Sequence, residues 1–360
     1  MLINRRNLTL AGFSLLIGFL VTLFTFQALA LDKNRKGIGD MVAIANESIV
    51  SLISQRDSSN GVNLDSILRL DDDEGYLSDE YGKRSGNRNV FLCSGTFMTE
   101  SGAVITSEHC ISNTVSTQVR TFDGRVYRAR VVFRDSKTDL AILMVDGKGR
   151  KFKPISVGSS DNIRPGDNVI TIGNPDGFHQ TVTRGIISSK HRKIGMFKYE
   201  DHIQTDAAIN PGASGGALLD ADGRMIGVIC AMSTRNQNMG FVVPSEFVVS
   251  SVRSLSLWGK MRYGFFGIAV KSIRTLAKDT TTPECMKQHV GVVVKAVHPK
   301  GPSIGKIEPG DIILSIGGRK MYSTSQIGSM AVYNLPGFKT EVKLIRNCKE
   351  LTVELVPMAL

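Results

Sequence analysis

The 360-residue chain is 42% apolar and 21% charged, the balance of an ordinary folded protein with room for two or three domains. Its 44 Lys and Arg against 33 Asp and Glu give a formal charge of +11, but the basic residues fall in short groups such as Lys148, Arg150, Lys151 and Lys153, without interleaved aromatics. No nucleic-acid-binding motif accompanies that charge, and no partner of that class is expected.

The chain begins with an uncharged run, Asn7 to Leu31, rich in Leu, Phe and Ala and placed directly after Arg5 and Arg6. At 1.5 Å per residue it is long enough to span a bilayer. Ala28-Leu29-Ala30 has the small-x-small form of a signal-peptidase site, so cleavage after Ala30 and secretion is the competing reading. The apolar core, 8–26, exceeds the roughly 7–15 residues of a cleaved signal, which favours a retained membrane anchor over residues 1–31. The remainder is then expected as one exported, soluble body.

Residues 32–89 read as a linker, a first strand or short helix over 41–54, and a polar loop rich in Gly, Ser and Asp. Within that loop Asp71-Asp72-Asp73-Glu74 precedes Gly75, but a calcium loop needs an acid five residues before its glycine, where Leu70 stands. A solvated loop is expected there. Residues 90–257 hold short β-rich runs at 97–98 with 104–105, 126–132, 141–145, 168–172, 181–187 and 225–229, separated by turn signals. Their spacing, without long helical periods, predicts a mostly-β barrel or sandwich. After Trp258 the pattern restarts as a small α+β domain, 258–360, with strands at 265–270, 292–297 and 312–316. A helix over 324–333 is ended by Pro336-Gly337, and 340–345 with 351–356 reads as a closing hairpin.

Three local sequences carry chemistry when taken together. Ile105-Thr106-Ser107-Glu108-His109-Cys110 sets a histidine at the end of a strand, and Thr138-Asp139-Leu140-Ala141 sets an aspartate at the start of the next. Asn210-Pro211-Gly212-Ala213-Ser214-Gly215-Gly216 sets a serine in a glycine-rich turn. A serine hydroxyl becomes a useful nucleophile only when an imidazole takes its proton, and the imidazole needs a carboxylate to fix its tautomer. His109, Asp139 and Ser214 are therefore the expected catalytic residues, in the chain order of the chymotrypsin class. The glycines leave room for backbone N–H groups, from Gly212 and Ser214, to converge on an oxyanion. Five cysteines, at 93, 110, 230, 285 and 348, leave at least one unpaired, and none has metal-ligand spacing.

Thr205 to Leu218, Thr138-Asp139-Leu140-Ala141 and Ile172-Gly173-Asn174-Pro175 resemble the HtrA/Deg family of PDZ-containing serine proteases. An N-terminal anchor with one PDZ domain is most similar to its DegS type. The resemblance implies a chymotrypsin-like double β-barrel followed by a PDZ domain, assembled as a homotrimer in the bacterial cell envelope. It also implies ATP-independent cleavage of protein substrates without a metal or other cofactor, in quality control or regulated proteolysis. Tyr263-Gly264-Phe265-Phe266-Gly267-Ile268 resembles the family's carboxylate-binding loop, so Phe265, Phe266, Gly267 and Ile268 are expected to hold a peptide C-terminus. Ile327, Met330 and Ala331 would form the opposite wall of the groove.

The resemblance also places a regulatory arginine in the loop 189–195, where Arg192 and Lys193 are alternative counterparts. Arg192 is favoured because a planar guanidinium bridges oxygen acceptors more specifically. Ala208, six residues before Ser214, stands where trypsin-type enzymes that prefer basic residues carry Asp. With Cys230, Ala231 and Met232 it is expected to line a pocket for a small or medium aliphatic side chain. Two departures stand out. Ala213 replaces the family's usual Asn, which keeps a non-cutting scaffold or chaperone as the alternative function. Cys93 and Cys110 replace Gly and Val at positions that digestive trypsin-like enzymes bridge, implying a disulfide and an oxidising compartment. The pairing of Cys230, Cys285 and Cys348 stays open, a Cys285 to Cys348 bridge being one option.

Overall fold

A computed structural model describes residues 37–56, 90–174, 180–233, 237–277 and 283–360. The hydrophobic N-terminal run and the acidic loop both lie outside those residues. Among the described residues no helix is long and apolar enough to cross a membrane. The chain divides into two units, Met1–Ile44 and Ala45–Leu360. Helix α1 (Ile38–Asn46) starts in the first and begins with the Asp40 carboxylate accepting the Gly37 N–H at 3.0 Å.

The second unit opens with β1 (Ile49–Arg56), so the stretch expected as strand or helix holds both. Strands β2 (Val90–Phe97), β3 (Ala103–Ser107), β4 (Thr114–Arg120), β5 (Val126–Asp135) and β6 (Leu140–Val145) complete an antiparallel barrel closed in the order β1-β2-β3-β6-β5-β4. Closure leaves no free edge. Period-two alternation is plain in β5, where Tyr127 and Ala129 turn toward the core while Arg128 and Arg130 face solvent. The interior is filled by Leu52, Phe97, Val104, Val119 and Leu143, and Phe152 stacks on Phe97 with ring centroids 4.4 Å apart.

A second barrel repeats the plan with β7 (Asn168–Gly173), β8 (Thr181–Arg192), β9 (His202–Thr205), β10 (Ala217–Leu219), β11 (Met225–Met232) and β12 (Gly240–Pro244), closed as β10-β11-β12-β9-β8-β7. Its core is aliphatic, built on Val169, Ile187, Ile203, Leu218 and Val242. Helix α2 (Ser245–Trp258) follows, ending at Gly259 in the left-handed conformation (φ 68°).

The smaller domain follows. The strand expected over 265–270 is broken into β13 (Gly264–Phe265) and β14 (Ile268–Ser272), because Gly267 turns the chain at φ 72°. Strands β15 (Val292–Val297), β16 (Ile312–Ile316), β17 (Arg319–Lys320), β18 (Thr340–Arg346) and β19 (Lys349–Leu355) extend the sheet in the order β14-β15-β16-β18-β19, with β17 paired to β16. Helix α3 (Gln326–Tyr333) covers it, and β20 (Met358–Ala359) pairs with β13. Cys285 and Cys348 form a disulfide here, with Cα atoms 5.7 Å apart.

Candidate active site

The expected catalytic residues come from both barrels, His109 and Asp139 from the first and Ser214 from the second. Strand β3 ends at Ser107, and a single 3-10 turn, Glu108–Cys110, carries His109 out of it. Asp139 precedes β6 at φ 58°, a left-handed conformation that a short polar side chain tolerates. There it is 1% exposed. Its Oδ1 accepts the backbone N–H of His109 at 3.0 Å, and its Oδ2 lies 2.9 Å from His109 Nδ1. An ionised carboxylate only accepts, so Nδ1 carries the imidazole proton and Nε2 is left as the base. The Glu108 N–H closes the arrangement by donating to Asp139 O at 3.1 Å. Burial raises the Glu108 carboxyl above its ordinary value, with Arg134 opposing.

Ser214 sits in the turn before β10. The Ala213 N–H donates to Asn210 O at 3.1 Å, and Gly212 takes φ 90° at that bend. The Gly216 N–H donates to Ala213 O at 2.9 Å, and the Gly215 N–H to Ile229 O at 2.7 Å. A Cβ on Gly215 (φ 86°) would run into the Ser94 carbonyl and the Thr106 hydroxyl, so glycine is required. Among the described residues the N–H groups of Gly212 and Ser214 donate to no acceptor. They are the two the sequence points to for an oxyanion.

The structure does not close the expected serine–histidine hydrogen bond: the Ser214 hydroxyl donates instead to Cys230 O at 3.5 Å. The hydroxyl turns about the Cα–Cβ bond, and catalytic hydrogen bonds are often long in a site without substrate. The neighbouring backbone is already in place, with Cys110 Sγ 3.8 Å from Ser214 O.

Cys93 and Cys110 form the disulfide that the sequence implied, Cα atoms 6.1 Å apart, and both sulfurs lie within 4.8 Å of a His109 ring nitrogen. Bonded to each other, they are not metal ligands in this state. Replacing both by serine is expected to cost about 3 kcal/mol through chain entropy, read by equilibrium denaturation. Non-reducing peptide maps of exported protein should show the pair linked; two free thiols would contradict the assignment.

The proposed specificity pocket needs one correction. Cys230 is buried at a bulge in β11, and its Sγ points inward, 3.4 Å from Phe241 O and 3.7 Å from His202 Nδ1. Only its carbonyl faces Ser214. Burial raises its thiol well above the usual range, so it stays protonated and unreactive at neutral pH. Ala208 and Met232 are exposed and Ala231 is half-buried.

In the expected regulatory loop, Arg192 ends β8 and its Nε donates to Gln204 Oε1 at 2.9 Å, while Lys193 is exposed. The preceding residue, His191, is turned to φ 60°: its Nδ1 lies 3.0 Å from Asp201 Oδ1, and its ring 6.0 Å from that of Tyr322. The Tyr333 hydroxyl, on α3, donates to Asp201 Oδ2 at 2.6 Å, and Arg319 pairs with Asp161 while stacking over the Tyr333 ring. Beside Asp201, the buried Glu200 carboxylate accepts four consecutive N–H groups, Ile194 to Phe197, at 2.6–2.8 Å. Burial alone would raise Glu200, but these N–H groups outweigh it and hold the carboxyl below its ordinary value.

In the smaller domain Gly267 and Phe266 are buried, Phe266 within the core, whereas Phe265 and Ile268 are half-buried. Of the opposite wall, Met330 and Ala331 are core and Ile327 alone is partly open, because the remaining face of α3 packs on the sheet.

Comparison with known proteins agrees with this geometry. Residues 93–228 match the trypsin-like peptidase domain, and 264–356 the PDZ domain. A probable periplasmic serine endoprotease, DegP-like, of Rhizobium meliloti is 34% identical over 268 residues, covering 73% of this chain and 52% of the relative. Its counterpart of Chlamydia muridarum is 32% identical over 277 residues, covering 75% and 54%. The chain thus spans about half the length of these curated relatives. Among solved structures, the HtrA-type protease AlgW with decapeptide is 31% identical with a TM-score of 0.62, covering 90% of this chain and 99% of that one. AlgW with tripeptide gives 30% and 0.65. Two family segments in one order, and 31% identity across nearly all of a solved protease, make this chain a member of the HtrA family of trypsin-like serine proteases with a PDZ domain.

Proposed function

We propose that this chain is an ATP-independent serine endopeptidase of the bacterial cell envelope, with Ser214 as nucleophile, His109 as general base and Asp139 as its partner. The observation that carries the reading is the buried Asp139, whose Oδ2 lies 2.9 Å from His109 Nδ1, which leaves Nε2 free to deprotonate a hydroxyl. Rotation of the Ser214 side chain brings the hydroxyl to that base. Attack on a peptide carbonyl then forms a tetrahedral oxyanion received by the Gly212 and Ser214 N–H groups. The protonated imidazole passes its proton to the leaving amine, and water repeats the sequence to release the acyl group. The intact histidine–aspartate pair favours this over a non-cutting scaffold. The test is hydrolysis of a denatured protein in ATP-free buffer, which diisopropyl fluorophosphate should stop; persistence after that treatment would refute a serine enzyme.

The names of the Rhizobium and Chlamydia relatives support a periplasmic setting. Anchoring to the inner membrane through residues 1–31, assembly as a homotrimer, and a role in quality control or regulated proteolysis extend the same reading. The smaller domain captures the C-termini of peptides at Phe265 to Ile268, and this gates cleavage through Tyr333, Asp201 and the loop held by Glu200. A hydrophobic C-terminal peptide is then expected to raise the cleavage rate by roughly 5–150-fold. In Tyr333→Phe and in Arg192→Ala the stimulation should shrink. A rate that ignores the peptide in all three proteins would remove gating and leave the protease assignment standing.

A further inference from the structure

Ala213, beside the nucleophile, has no polar side chain with which to support its turn, yet that turn is held firmly from the opposite barrel. Ser94, fully buried on β2, makes four hydrogen bonds, two of them to that turn. Its N–H donates to Ser214 O at 2.8 Å, and its hydroxyl donates to Gly212 O at 2.8 Å. The same hydroxyl oxygen accepts the Asn174 N–H at 2.7 Å, and the Ser94 carbonyl accepts the Thr106 hydroxyl at 2.7 Å. The direction of this chain is fixed by chemistry. A backbone N–H at Asn174 can only donate, so the Ser94 oxygen is the acceptor there and its own proton points at Gly212 O.

Locking that carbonyl fixes the peptide plane between Gly212 and Ala213, whose N–H is already committed to Asn210 O. The next plane is fixed by the Gly216 N–H on Ala213 O. With both planes fixed, the Ser214 N–H has a defined direction, and the Gly212 N–H is held by a residue that cannot rotate without breaking the Ser94 bond. Small size at Ala213 is part of the same fit: a Cβ on Gly173 would already come within 3.1 Å of Ala213 Cα. The residue before Ser94, Cys93, is bonded to the residue after His109. Two consecutive positions on one strand thereby tie the base and the nucleophile turn to the same piece of backbone.

From this geometry we infer that Ser94 is a positioning residue for the oxyanion-binding turn, supplying from the first barrel the support that Ala213 lacks. The inference rests on the serine-protease reading above. It acts on the transition state, because a peptide substrate in its ground state does not need both N–H groups aligned.

The test uses the full chain in wild type, Ser94→Ala, Ser94→Cys and Ser214→Ala, with a fluorogenic peptide and a peptide boronic acid as the tetrahedral analogue. In Ser94→Ala, kcat should fall by roughly 10–100-fold, as for one lost buried hydrogen bond, with KM changed less than about twofold. The boronate inhibition constant should rise in the same proportion as kcat falls, a coupling that a loss of folded protein would not produce. Ser94→Cys, similar in volume and a weaker donor, should fall between. A kcat within about threefold of wild type in folded Ser94→Ala, or a loss confined to KM, overturns the inference. Should Ser94→Ala not fold, Ser94→Cys decides by the same criteria. Turnover retained by Ser214→Ala would instead refute the protease reading itself.

Discussion

Ser214→Ala should remove turnover almost entirely, by about 10⁵–10⁶-fold in kcat, because without a nucleophile neither the base nor the oxyanion donors have a step to accelerate. The folded protein should hardly notice. The hydroxyl is half-buried and its hydrogen bond in this structure is the long one, 3.5 Å, to Cys230 O, while the turn itself is held by backbone groups that alanine keeps. Thermal unfolding should therefore move by no more than about 2 °C. Steady-state cleavage of a peptide substrate, with the melting curve recorded on the same preparation, reads both. A variant that still cleaved within about tenfold of wild type would show that another group is the nucleophile.

Asp139→Asn should cost about 10⁴-fold in kcat, less than loss of the serine and far more than its structural effect would suggest. Asparagine accepts the same left-handed backbone at φ 58°, so β6 begins undisturbed, and its carbonyl oxygen can still receive the His109 N–H now bound at 3.0 Å. What it cannot do is stabilise an imidazolium. The neutral amide also lets the ring settle with Nε2 protonated, the tautomer that cannot take a proton from Ser214. Asp139→Ala should lose comparable activity and additional stability, since alanine is strained at a positive φ. Comparison of kcat and urea midpoints across the two variants separates the electrostatic role from the conformational one. Equal activity in Asp139→Asn and wild type would take Asp139 out of the mechanism.

How far the sequence reached is visible in which residues it found. The runs 126–132, 141–145, 168–172 and 225–229 became β5, β6, β7 and β11 because alternation or continuous apolarity matches strand burial directly. Strand β4 escaped because Thr114–Arg120 buries little besides Thr117 and Val119, and β10 because three residues carry no period. Helix α2 escaped for a different reason. Its four later serines lower helix propensity, yet Ser251 and Ser254 are fully buried, and Ser254 accepts the Arg262 N–H at 2.8 Å while donating to Lys260 O at 2.9 Å. Packing and a side-chain network outweigh composition there.

In the site, His109, Asp139 and Ser214 were legible because each chemical role admits few residue types and the turn glycines announce the geometry. Ser94 gave no such signal. Its importance comes from two barrels meeting, so that a strand residue of one reaches the carbonyl groups of the other, and linear sequence does not encode that contact. The same limit applies to the loop beyond β8, where the approach of His191 to Asp201 depends on where the strand stops and on the register shift before Arg192.

The most direct measurement is covalent labelling by a fluorophosphonate followed by peptide mapping. A site that activates serine predicts label on Ser214 in native wild type, and none on that residue in His109→Ala or in protein unfolded with urea. Label absent from Ser214 in native protein, while peptide cleavage proceeds, would contradict the assignment of this cleft as the active site.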